Sequence, residues 1–540
     1  MGTQHWRNVG DLVARLIEIE CGRSLAVRAT GNANRTIELS TDPTLGDHEE
    51  AYRLEVGPDR VTMIGATTAG VHYAAQTFVS RLQSQDGAMI VPAGIIDDWP
   101  STDNRAMLVD PARHFIPVSE LETIIDRMAR AKLNLLHLHL LDSQSYALES
   151  EVYPELGRDP ETGEERPVYS HEEIAGLVEY AAARNVDLMP ELDLPGHATH
   201  LIHTFPDVQC TAGGDTSDWT VCVGAEASYD LLEDLVAEVV DLFPYPVVHI
   251  GGDEYAHGGV SWADCSVCRE RMDREGFDRP RELYYYFLRR AHEILADHDR
   301  RMMMWNDQID IADPPSVPDD ILIDFWTIMR PELGPAEGCS MDGFLEEGFE
   351  TCNSYSPATY MSHWADHELF KAWAPTQLPT ISSGNEERLW GGKLNMWNGP
   401  RWEAAACRAY HRRQLPATIP IFGDRVWHGG DPIDEADLPD AVARHALGPA
   451  FRNGGHIYED LGGVLCPNDL EERAHVYRSL AGRSVEEAIE AYKGVLETLR
   501  TSRDAGELVF PSTGDAYIDC FEWLIRVAQR EGRGYRERPE

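Results

Sequence analysis

The residues best suited to chemistry stand in an acidic motif that follows an apolar run. The run at 247–250 ends in Gly251, Gly252, Asp253 and Glu254. The two glycines permit a tight turn, so the adjacent carboxylates can project in different directions. One such group can transfer a proton while the other stabilises a developing positive charge. An isolated Asp-Glu pair on an acidic chain is more often an exposed turn, so the other motifs must decide its meaning.

Charged and aromatic residues also follow the other apolar runs of the chain. These residues are Arg113, close after Asp110, then Asp142, Asp193, His197, Trp305, Trp326, Tyr360 and Trp397. Aromatic rings stack on the C–H faces of a sugar, and charged groups take sugar hydroxyls in bidentate hydrogen bonds. A single tryptophan is more often part of a core. The shared position of these residues after successive runs nevertheless indicates a sugar-binding site.

The runs themselves predict the scaffold that positions these residues. From about residue 105 to about residue 427, short apolar runs alternate with longer amphipathic stretches, which is typical of repeated strand and helix units. Eight candidate strands lie at residues 107–109, 133–140, 186–190, 247–251, 302–305, 321–326, 349–353 and 393–397. Capping boxes are expected at Ser119 with Glu122 and at Ser170 with Glu173. Eight such units predict an α/β fold, a (β/α)8 TIM barrel, whose C-terminal strand ends carry the site.

The segments outside the barrel predict two further parts. A helical start and alternating segments before residue 100 predict a small α+β domain. The segment 95–104, with a proline and several acidic or amide residues, is expected to break regular structure and mark the boundary. After residue 427 the chain is helix-rich, with a helical stripe and a capping box at 484–500. The predicted division is 1–100 as the α+β domain, 101–430 as the catalytic barrel and 431–540 as a helical extension.

Composition excludes several classes of protein. The 540 residues are 43% hydrophobic, which is enough for two or three cores and excludes intrinsic disorder. Asp and Glu number 92 against 47 Lys and Arg, so the formal charge of −45 repels nucleic acid and anionic lipid. Lysine occurs only at positions 132, 371, 393 and 493. Scarce lysine with excess acid indicates a halophile's proteome, whereas a high-GC genome explains the arginine but not the acid.

The opening stretch and the cysteines bear on the compartment. The stretch 1–16 is polar and unlike a signal peptide, and no apolar run predicts a transmembrane helix, so a cytoplasmic protein is expected.

Cys265 and Cys268 form a single CxxC, a weak zinc or redox signal, and are expected to be two buried thiols in the first turn of a helix. Cys210 and Cys222 could approach each other across a loop, but a reducing cytoplasm argues against a bridge.

Four motifs together resemble a known family. The stretches HIGGDE, MLVDPARHF, LNLLHLHLLDSQ and PELDLPGH are similar to those of the family 20 glycoside hydrolases, the β-N-acetylhexosaminidases. The resemblance extends to YRLEV and GVHYAAQTF before the barrel and spans roughly residues 50 to 430. The segments YALES, MMMWND and NSY resemble the dispersin-like branch, which cleaves poly-β-1,6-linked N-acetylglucosamine.

The resemblance implies a retaining, exo-acting hydrolase that removes terminal β-linked N-acetylhexosamine (GlcNAc or GalNAc). Two neighbouring carboxyls are poorly placed for opposite faces of one sugar, and the family uses substrate assistance. The 2-acetamido oxygen would attack to form an oxazolinium ion, with Glu254 as acid and then base. Asp253 would orient the acetamide and Tyr360 would hydrogen-bond its oxygen. The expected partner is an amino-sugar oligosaccharide or glycoconjugate, and the resemblance implies no cofactor and no metal.

By the same resemblance, further residues match substrate-binding positions of the family. Arg113 and Asp142 match positions that hold the C3 and C4 hydroxyls or link to the catalytic pair. The remaining matches are Asp193 and His197, which would support the pair, and Trp305, Trp326 and Trp397, which would wall the N-acetyl group and ring.

Three positions depart from the family pattern. Gly399 follows Asn398 where a Glu usually grips a distal hydroxyl, Ser362 replaces an Asp, and Ala147 stands where an Arg is common. All three changes affect recognition of the distal hydroxyls. A modified or differently linked N-acetylhexosamine is therefore an open alternative to a plain terminal GlcNAc.

Two other classes of function remain open from the residues alone. A metal-dependent barrel hydrolase could use His137, His139, His249 and Asp253 as ligands. The alternation in LHLHL instead places both of its histidines in a packed barrel layer, and no HExxH motif is present. A non-catalytic sugar-binding barrel is the third class, against which the intact Asp253, Glu254 and Tyr360 argue.

Overall fold

The computed structural model describes most of the barrel and part of its flanks. The described residues are 3–21, 24–29, 35–85, 88–256, 260–311, 317–330, 334–335, 340–361, 373–399, 404–429 and 485–504, with the single residues 518, 522 and 525. Ser362, the predicted capping residue Ser484 and most of the predicted extension 431–540 lie outside them.

Strands and helices alternate along the described chain. The strands are β1 (Thr36–Thr41), β2 (Tyr52–Val56), β3 (Arg60–Gly65), β4 (Gln83–Gln85), β5 (Ala88–Ile90), β6 (Gly94–Asp98), β7 (Asn104–Val109), β8 (Leu135–Asp142), β9 (Ser145–Tyr146), β10 (Asp187–Leu194), β11 (Gln209–Ala212), β12 (Asp215–Val221), β13 (Val247–Gly251), β14 (Arg301–Trp305), β15 (Leu322–Phe325), β16 (Met329–Arg330), β17 (Gly334–Pro335), β18 (Thr351–Asn353) and β19 (Leu389–Met396). The helices are α1 (Thr3–Cys21), α2 (Thr68–Ser80), α3 (Val118–Arg130), α4 (His171–Ala182), α5 (Thr199–Thr204), α6 (Glu226–Leu242), α7 (Ser266–Glu275), α8 (Pro280–Asp297), α9 (Met341–Glu346), α10 (Ser356–Thr359), α11 (Ala404–His428) and α12 (Val485–Asp504).

Eight parallel strands close into the predicted barrel. Their order is β10-β13-β14-β15-β18-β19-β7-β8, and β8 pairs back with β10 to complete the circle. Each observed strand overlaps one predicted from the apolar runs, so the fold class is confirmed. The barrel strands are almost wholly buried because helices cover them from outside and side chains fill the inside.

Strand register brings three titratable side chains to one level of the barrel. His139 of β8 lies opposite Glu191 of β10, and Glu191 lies opposite His249 of β13. Since alternate residues of a strand point to the same side, His137 and His139 both point into the barrel, and both are fully buried. This arrangement confirms the packed layer predicted from the LHLHL pattern.

The small N-terminal sheet precedes the barrel, as predicted. Its strand order is β1-β3-β2-β6, and α2 packs on it through an apolar face. The expectation that residues 95–104 break regular structure is wrong for the first part of that segment. β6 continues to Asp98 because its backbone pairs antiparallel with β2, from Gly94 opposite Val56 to Asp98 opposite Tyr52.

One of the two predicted capping boxes is confirmed and the other is wrong. Ser170 accepts a hydrogen bond from the Glu173 N–H at 3.2 Å, and the Glu173 carboxylate accepts from the Ser170 N–H at 2.9 Å. Helix α3 instead begins one residue before Ser119. The carbonyl of Pro117 accepts the first helical hydrogen bonds, from the N–H groups of residues 120 and 121, so Ser119 lies inside the helix.

Two compact units can be distinguished in the chain. One comprises residues 1–101, 127–132 and 403–540, and the other comprises 102–126 and 133–402. The predicted three-part division stays a prediction. Among the described residues, no helix combines the length and apolar character needed to cross a bilayer.

Substituting the confirmed cap is expected to destabilise the barrel unit. Ser170→Ala removes the acceptor for one unpaired amide at the start of α4 and should lower the free energy of unfolding by about 1 kcal/mol. Ser119→Ala is the matched control, because this exposed serine lies within α3 and the change should stay within about 0.5 kcal/mol of the wild type. Urea unfolding followed by tryptophan fluorescence measures both. Equal effects of the two substitutions would contradict the assignment of the cap.

Candidate active site

The acidic motif turns sharply at the end of β13. Gly251 and Gly252 adopt φ values of 74° and 93°, in the left-handed region that favours glycine. A Cβ on Gly251 would overlap the carboxylate of Asp193, so only glycine permits this close approach. The Gly252 carbonyl accepts a hydrogen bond from the Tyr284 hydroxyl at 2.8 Å. The turn therefore places Asp253 and Glu254 at the rim of the barrel.

The backbone of Glu254 is held from two sides. Its φ of 44° is unusual for a residue with a side chain. Its N–H donates to Asp307 Oδ2 at 3.1 Å, and its carbonyl accepts from Trp219 Nε1 at 2.9 Å. Tyr255, the next residue, accepts from the Thr220 hydroxyl through its carbonyl at 2.6 Å. These bonds keep the Glu254 side chain, which is 31% exposed, at the rim.

His197 connects the acidic pair to the neighbouring strand ends. Its Nε2 lies 3.5 Å from a carboxylate oxygen of Asp253 and 3.5 Å from one of Glu254, while Nδ1 lies 3.3 Å from Asp142. Burial opposes the charged imidazole, but Asp193, Asp142 and Asp253 together raise the pKa of His197 well above its usual value. Burial likewise opposes ionisation of Asp253, yet the charge of His197 lowers the pKa of that carboxyl. Asp253 is therefore an anion beside a cation.

Arg113 forms a second ionic link on the rim. Its guanidinium lies 2.9 Å from Asp110 and 2.6 Å from Asp142. Burial disfavours the cation, but these two carboxylates raise the pKa of Arg113 above its usual value. Asp142 is buried, and Arg113 and His197 hold the pKa of its carboxyl well below the usual range. The Arg113 guanidinium also lies 4.9 Å from the ring centre of Trp397, a cation–π distance.

Three aromatic rings complete the rim. Tyr360 lies 5.9 Å from the ring of Trp397 and stacks on Trp326 at 5.9 Å with an interplanar angle of 13°. The Trp326 indole N–H donates to Asp307 at 3.1 Å. Burial, and then the nearby carboxylates of Asp324 and Asp253, raise the pKa of Tyr360 well above its usual value, so its hydroxyl remains a donor.

The contacts on the rim close into one circuit. The sequence of contacts runs from the Glu254 N–H through Asp307, Trp326, Tyr360, Trp397, Arg113, Asp142 and His197 back to the Glu254 carboxylate. The circuit thus links carboxyls with aromatic and cationic groups on one rim. This composition suits a polar ring-shaped ligand with apolar C–H faces.

A buried charged network lies behind the rim. The Glu191 carboxylate accepts from the Trp305 indole at 2.9 Å, and it lies 2.5 Å from His139 Nδ1 and 3.0 Å from His249 Nδ1. The other nitrogen of His139 contacts Asp142 at 2.9 Å. Burial opposes the charged form of His139, but Glu191 and Asp142 raise its pKa well above the usual value. Trp305 is almost wholly buried, so it backs the rim from within the barrel.

The histidines proposed as an alternative metal site are occupied by other partners. Lys393 Nζ lies 3.0 Å from His137 Nδ1 and also pairs with the Asp324 carboxylate. Burial, followed by the charge of Lys393, lowers the pKa of His137 to about 3. A metal cation beside His137 would meet this ammonium group. Among the described residues, His137 and His249 meet at Glu191, whereas His139 and Asp253 belong to two other groups of titratable side chains.

Asp307 is a site residue that the sequence did not single out. It is fully buried and accepts from the Glu254 N–H, from Trp326 and from the Gln308 amide. Burial, and then the charge of Asp253, raise the pKa of Asp307 to about 7. The sequence shows that Asp307 stands two residues after Trp305, which ends a barrel strand. Its contact with Glu254 depends on the fold and cannot be read from the sequence. Trp219 was missed likewise, since it belongs to a hairpin between two barrel strands.

The two described departures from the family pattern lie on the rim side of the barrel. The Gly399 carbonyl accepts from His114 at 3.2 Å, and the preceding Asn398 binds the backbone of Asp110. Ala147 is buried and pairs through its backbone with Leu140. Neither position offers a side chain that could bind a sugar hydroxyl.

Comparisons with known proteins agree with the motifs. The model for the glycosyl hydrolase family 20 catalytic domain matches residues 103–399, and the model for domain 2 of that family matches residues 7–99. A β-N-acetylhexosaminidase of Cellulomonas fimi is 30% identical over 464 residues, which are 81% of this chain and 86% of that protein. A β-hexosaminidase of Porphyromonas gingivalis is 30% identical over 321 residues, which are 56% of this chain and only 40% of that protein.

A solved structure shares the fold. The exo β-N-acetylglucosaminidase of Vibrio harveyi, solved with N-acetylglucosamine, superposes with a TM-score of 0.71 at 21% identity and covers 86% of this chain and 74% of its own. At that identity the likeness shows the barrel and its preceding domain, while the site residues rest on the geometry described above.

Asparagine at position 307 is expected to change the pH dependence of stability. The carboxyl ionises near pH 4 in an unfolded chain but at about 7 in the fold. The folded chain therefore binds more protons between those values, and the stability contributed by Asp307 falls as pH rises through this window. Asp307→Asn lacks this fall, so its stability relative to the wild type should be higher at about pH 8 than at about pH 4.

Urea midpoints measured across that pH range test the expectation, with the exposed Asp319→Asn as control. A hydrogen bond lost in the Asp307 variant lowers its urea midpoint equally at every pH and leaves the dependence of the midpoint on pH unchanged. Parallel curves for the wild type and the Asp307 variant would contradict the raised pKa.

Proposed function

The chain belongs to glycosyl hydrolase family 20, and we propose that it is a retaining, exo-acting β-N-acetylhexosaminidase. The observation that carries the proposal is the closed circuit of contacts around Asp253 and Glu254. The circuit joins the partly exposed carboxyl of Glu254 to aromatic walls on one rim of the barrel, and the ionised carboxylate of Asp253 contacts its member His197. The expected substrate is a terminal β-linked GlcNAc or GalNAc residue of an oligosaccharide or glycoconjugate.

The arrangement of carboxyls supports nucleophilic attack by the substrate itself. A retaining glycosidase with a protein nucleophile needs a second carboxylate about 5 Å from the acid, across the sugar. Asp253 and Glu254 are neighbours in the chain and are poorly placed for opposite faces of one sugar. Asp142 is bound by Arg113, and Asp307 is buried against the Glu254 backbone. Family 20 enzymes use the 2-acetamido oxygen of the sugar as the nucleophile, and we assign it the same role here.

Glu254 and Asp253 have different roles in the proposed reaction. Glu254, the more exposed of the two, protonates the leaving oxygen and later removes a proton from the attacking water. Asp253, kept ionised by His197, accepts the acetamide N–H and stabilises the positive charge of the oxazolinium ion. Tyr360 donates its hydroxyl to the acetamido oxygen. Two successive inversions at the anomeric carbon give overall retention.

The remaining rim residues bind and position the sugar. We assign Trp326 and Trp397 to the walls around the ring, with Trp305 behind them. Arg113 and Asp142 would hold the ring hydroxyls, and His197 with Asp193 would fix the orientation of Asp253. Burial, and then the charge of Asp253, raise the pKa of the Asp193 carboxyl, one oxygen of which lies 3.9 Å from Nδ1 of His197.

Two finer assignments follow from sequence features. Gly399 and Ala147 leave the distal hydroxyls without the usual side chains, which supports a modified or differently linked N-acetylhexosamine as the natural substrate. The formal charge of −45 supports activity in concentrated salt and a partner that is a sugar instead of a nucleic acid or membrane.

Replacing the acid is expected to slow the first step of hydrolysis most where the leaving group needs a proton. Glu254→Gln should reduce kcat on a 4-methylumbelliferyl N-acetylglucosaminide by about 10²–10⁴-fold. The loss should be much smaller for the first step with a dinitrophenyl leaving group, which departs without protonation. Glu270→Gln, an exposed carboxyl on α7, is the control and should match the wild type. If the chain were a non-catalytic binding protein, the wild type and both variants would hydrolyse neither substrate, in low or molar salt.

The acetamido group itself is expected to be essential. The wild type should hydrolyse a nitrophenyl N-acetylglucosaminide but not the corresponding plain glucoside, since the latter lacks the attacking oxygen. Tyr360→Phe should lower kcat by about 10²–10³-fold with a much smaller change in KM, because the lost donor acts mainly as charge develops. Equal rates on the two sugars would rule out assistance by the substrate.

A further inference from the structure

Four cysteines from two separate parts of the chain meet in one buried cluster. Cys210 belongs to β11 and Cys222 directly follows β12, the two strands of a hairpin after barrel strand β10. Cys265 and Cys268 stand at the start of α7, after barrel strand β13. All four are buried. The single CxxC of the sequence therefore acquires a second pair from the fold.

The four sulfur atoms have the spacing of ligands around one metal ion. All lie within 4.8 Å of one another. The separations between Sγ atoms are 3.7 Å for Cys210 and Cys268, 3.8 Å for Cys222 and Cys265, and 3.6 Å for Cys222 and Cys268. A tetrahedron of sulfurs with Zn–S bonds of about 2.3 Å has edges of about 3.8 Å. The observed separations match this value.

The same separations argue against two simpler explanations of a cysteine cluster, disulfide bonds and chance packing. A disulfide requires sulfurs about 2.05 Å apart, so these thiols are not arranged as bonded pairs. Chance packing of thiols does not explain why all four sulfurs converge on one another. An iron–sulfur cluster with several irons needs more widely spaced thiols, because its irons and sulfides occupy the space between them.

The backbone around the cluster is adapted to this convergence. Cys265 is the residue that caps α7 and Cys268 lies in its first turn, where the helix dipole and free amides favour thiolates. Gly224 passes so close to this turn that a Cβ would lie 2.6 Å from the Cα of Cys268. Arg271, one turn further along α7, donates to the Gly224 carbonyl. The turn that follows the hairpin is thus held against the CxxC segment.

We propose that these four cysteines bind one structural zinc ion. Binding of Zn²⁺ by Cys210, Cys222, Cys265 and Cys268 displaces the four thiol protons and leaves no open coordination position for chemistry. Neither the family motifs nor the proposed hydrolysis involves these residues. The site does not depend on the activity of the barrel, and its metal content can be measured without a substrate.

The zinc ion would clamp two loops of the candidate active site. The hairpin that carries Cys210 and Cys222 also carries Trp219 and Thr220, which bind the carbonyls of Glu254 and Tyr255. Helix α7 follows the loop that begins with the acidic pair. Joining hairpin and helix therefore restrains the backbone of Glu254, a residue in a left-handed conformation. The zinc would act on the rim by positioning this loop.

Metal analysis of the purified full-length chain tests the proposal directly. Elemental analysis by mass spectrometry should find one zinc per chain, and the four thiols should react with a thiol reagent only after denaturation or release of zinc. Cys222→Ser and Cys265→Ser should each lose the zinc and lower Tm by at least about 5 °C. Cys352→Ala, a buried cysteine of β18 outside the cluster, should keep the full zinc content.

Several results would overturn the proposal. Absence of metal from wild-type protein made in zinc-supplemented cells, with four thiols open to reagent in the native state, would contradict it. So would iron with the visible absorption of an iron–thiolate centre, or a mass lower by two hydrogens for each disulfide. If the serine variants do not fold, the zinc content and thiol protection of the wild type and of Cys352→Ala still decide the matter.

Discussion

Burial of the Glu191 carboxylate inside the barrel is the constraint on which the rest of the site depends. A carboxylate removed from water costs several kcal/mol unless it is paired and hydrogen-bonded. Its oxygens meet His139, His249 and the indole of Trp305, which come from β8, β13 and β14. Loss of one partner from such a buried group costs about 3–5 kcal/mol. The carboxylate, itself on β10, therefore holds four adjacent strand ends in one register.

Charge alternates from this core to the rim, and the alternation gives neighbouring acids different protonation states. The cationic His139 follows Glu191, the anionic Asp142 follows His139, and the cationic His197 leads to Asp253. Asp253 is thereby kept ionised, whereas burial and the charge of Asp253 raise the pKa of the Asp307 carboxyl to about 7. Carboxyls of one chemical type thus acquire different pKa values from their surroundings.

The rim is built from loops, and loops need restraints that the barrel alone does not supply. The Glu254 backbone is bound on one side by Asp307, from the end of β14, and on the other by Trp219, from the hairpin after β10. The cysteine cluster joins that hairpin to α7. The rigid strands thus fix the position of Asp253 and Glu254 along the barrel axis. Contacts between separate loops fix the orientation of this pair.

Local patterns in the sequence determined the scaffold and the chemistry of the rim. Apolar periodicity predicts the eight strands, and short turn motifs predict the Ser170 cap and the acidic tip, because these signals act over a few consecutive residues. The same reasoning failed at Ser119, where the carbonyl of a preceding proline takes the role of the cap. Only the tertiary structure decided that Asp307 is buried against Glu254 and that the two cysteine pairs meet. Such contacts join residues far apart in the chain, and the pKa of a buried group depends on neighbours that no local pattern contains.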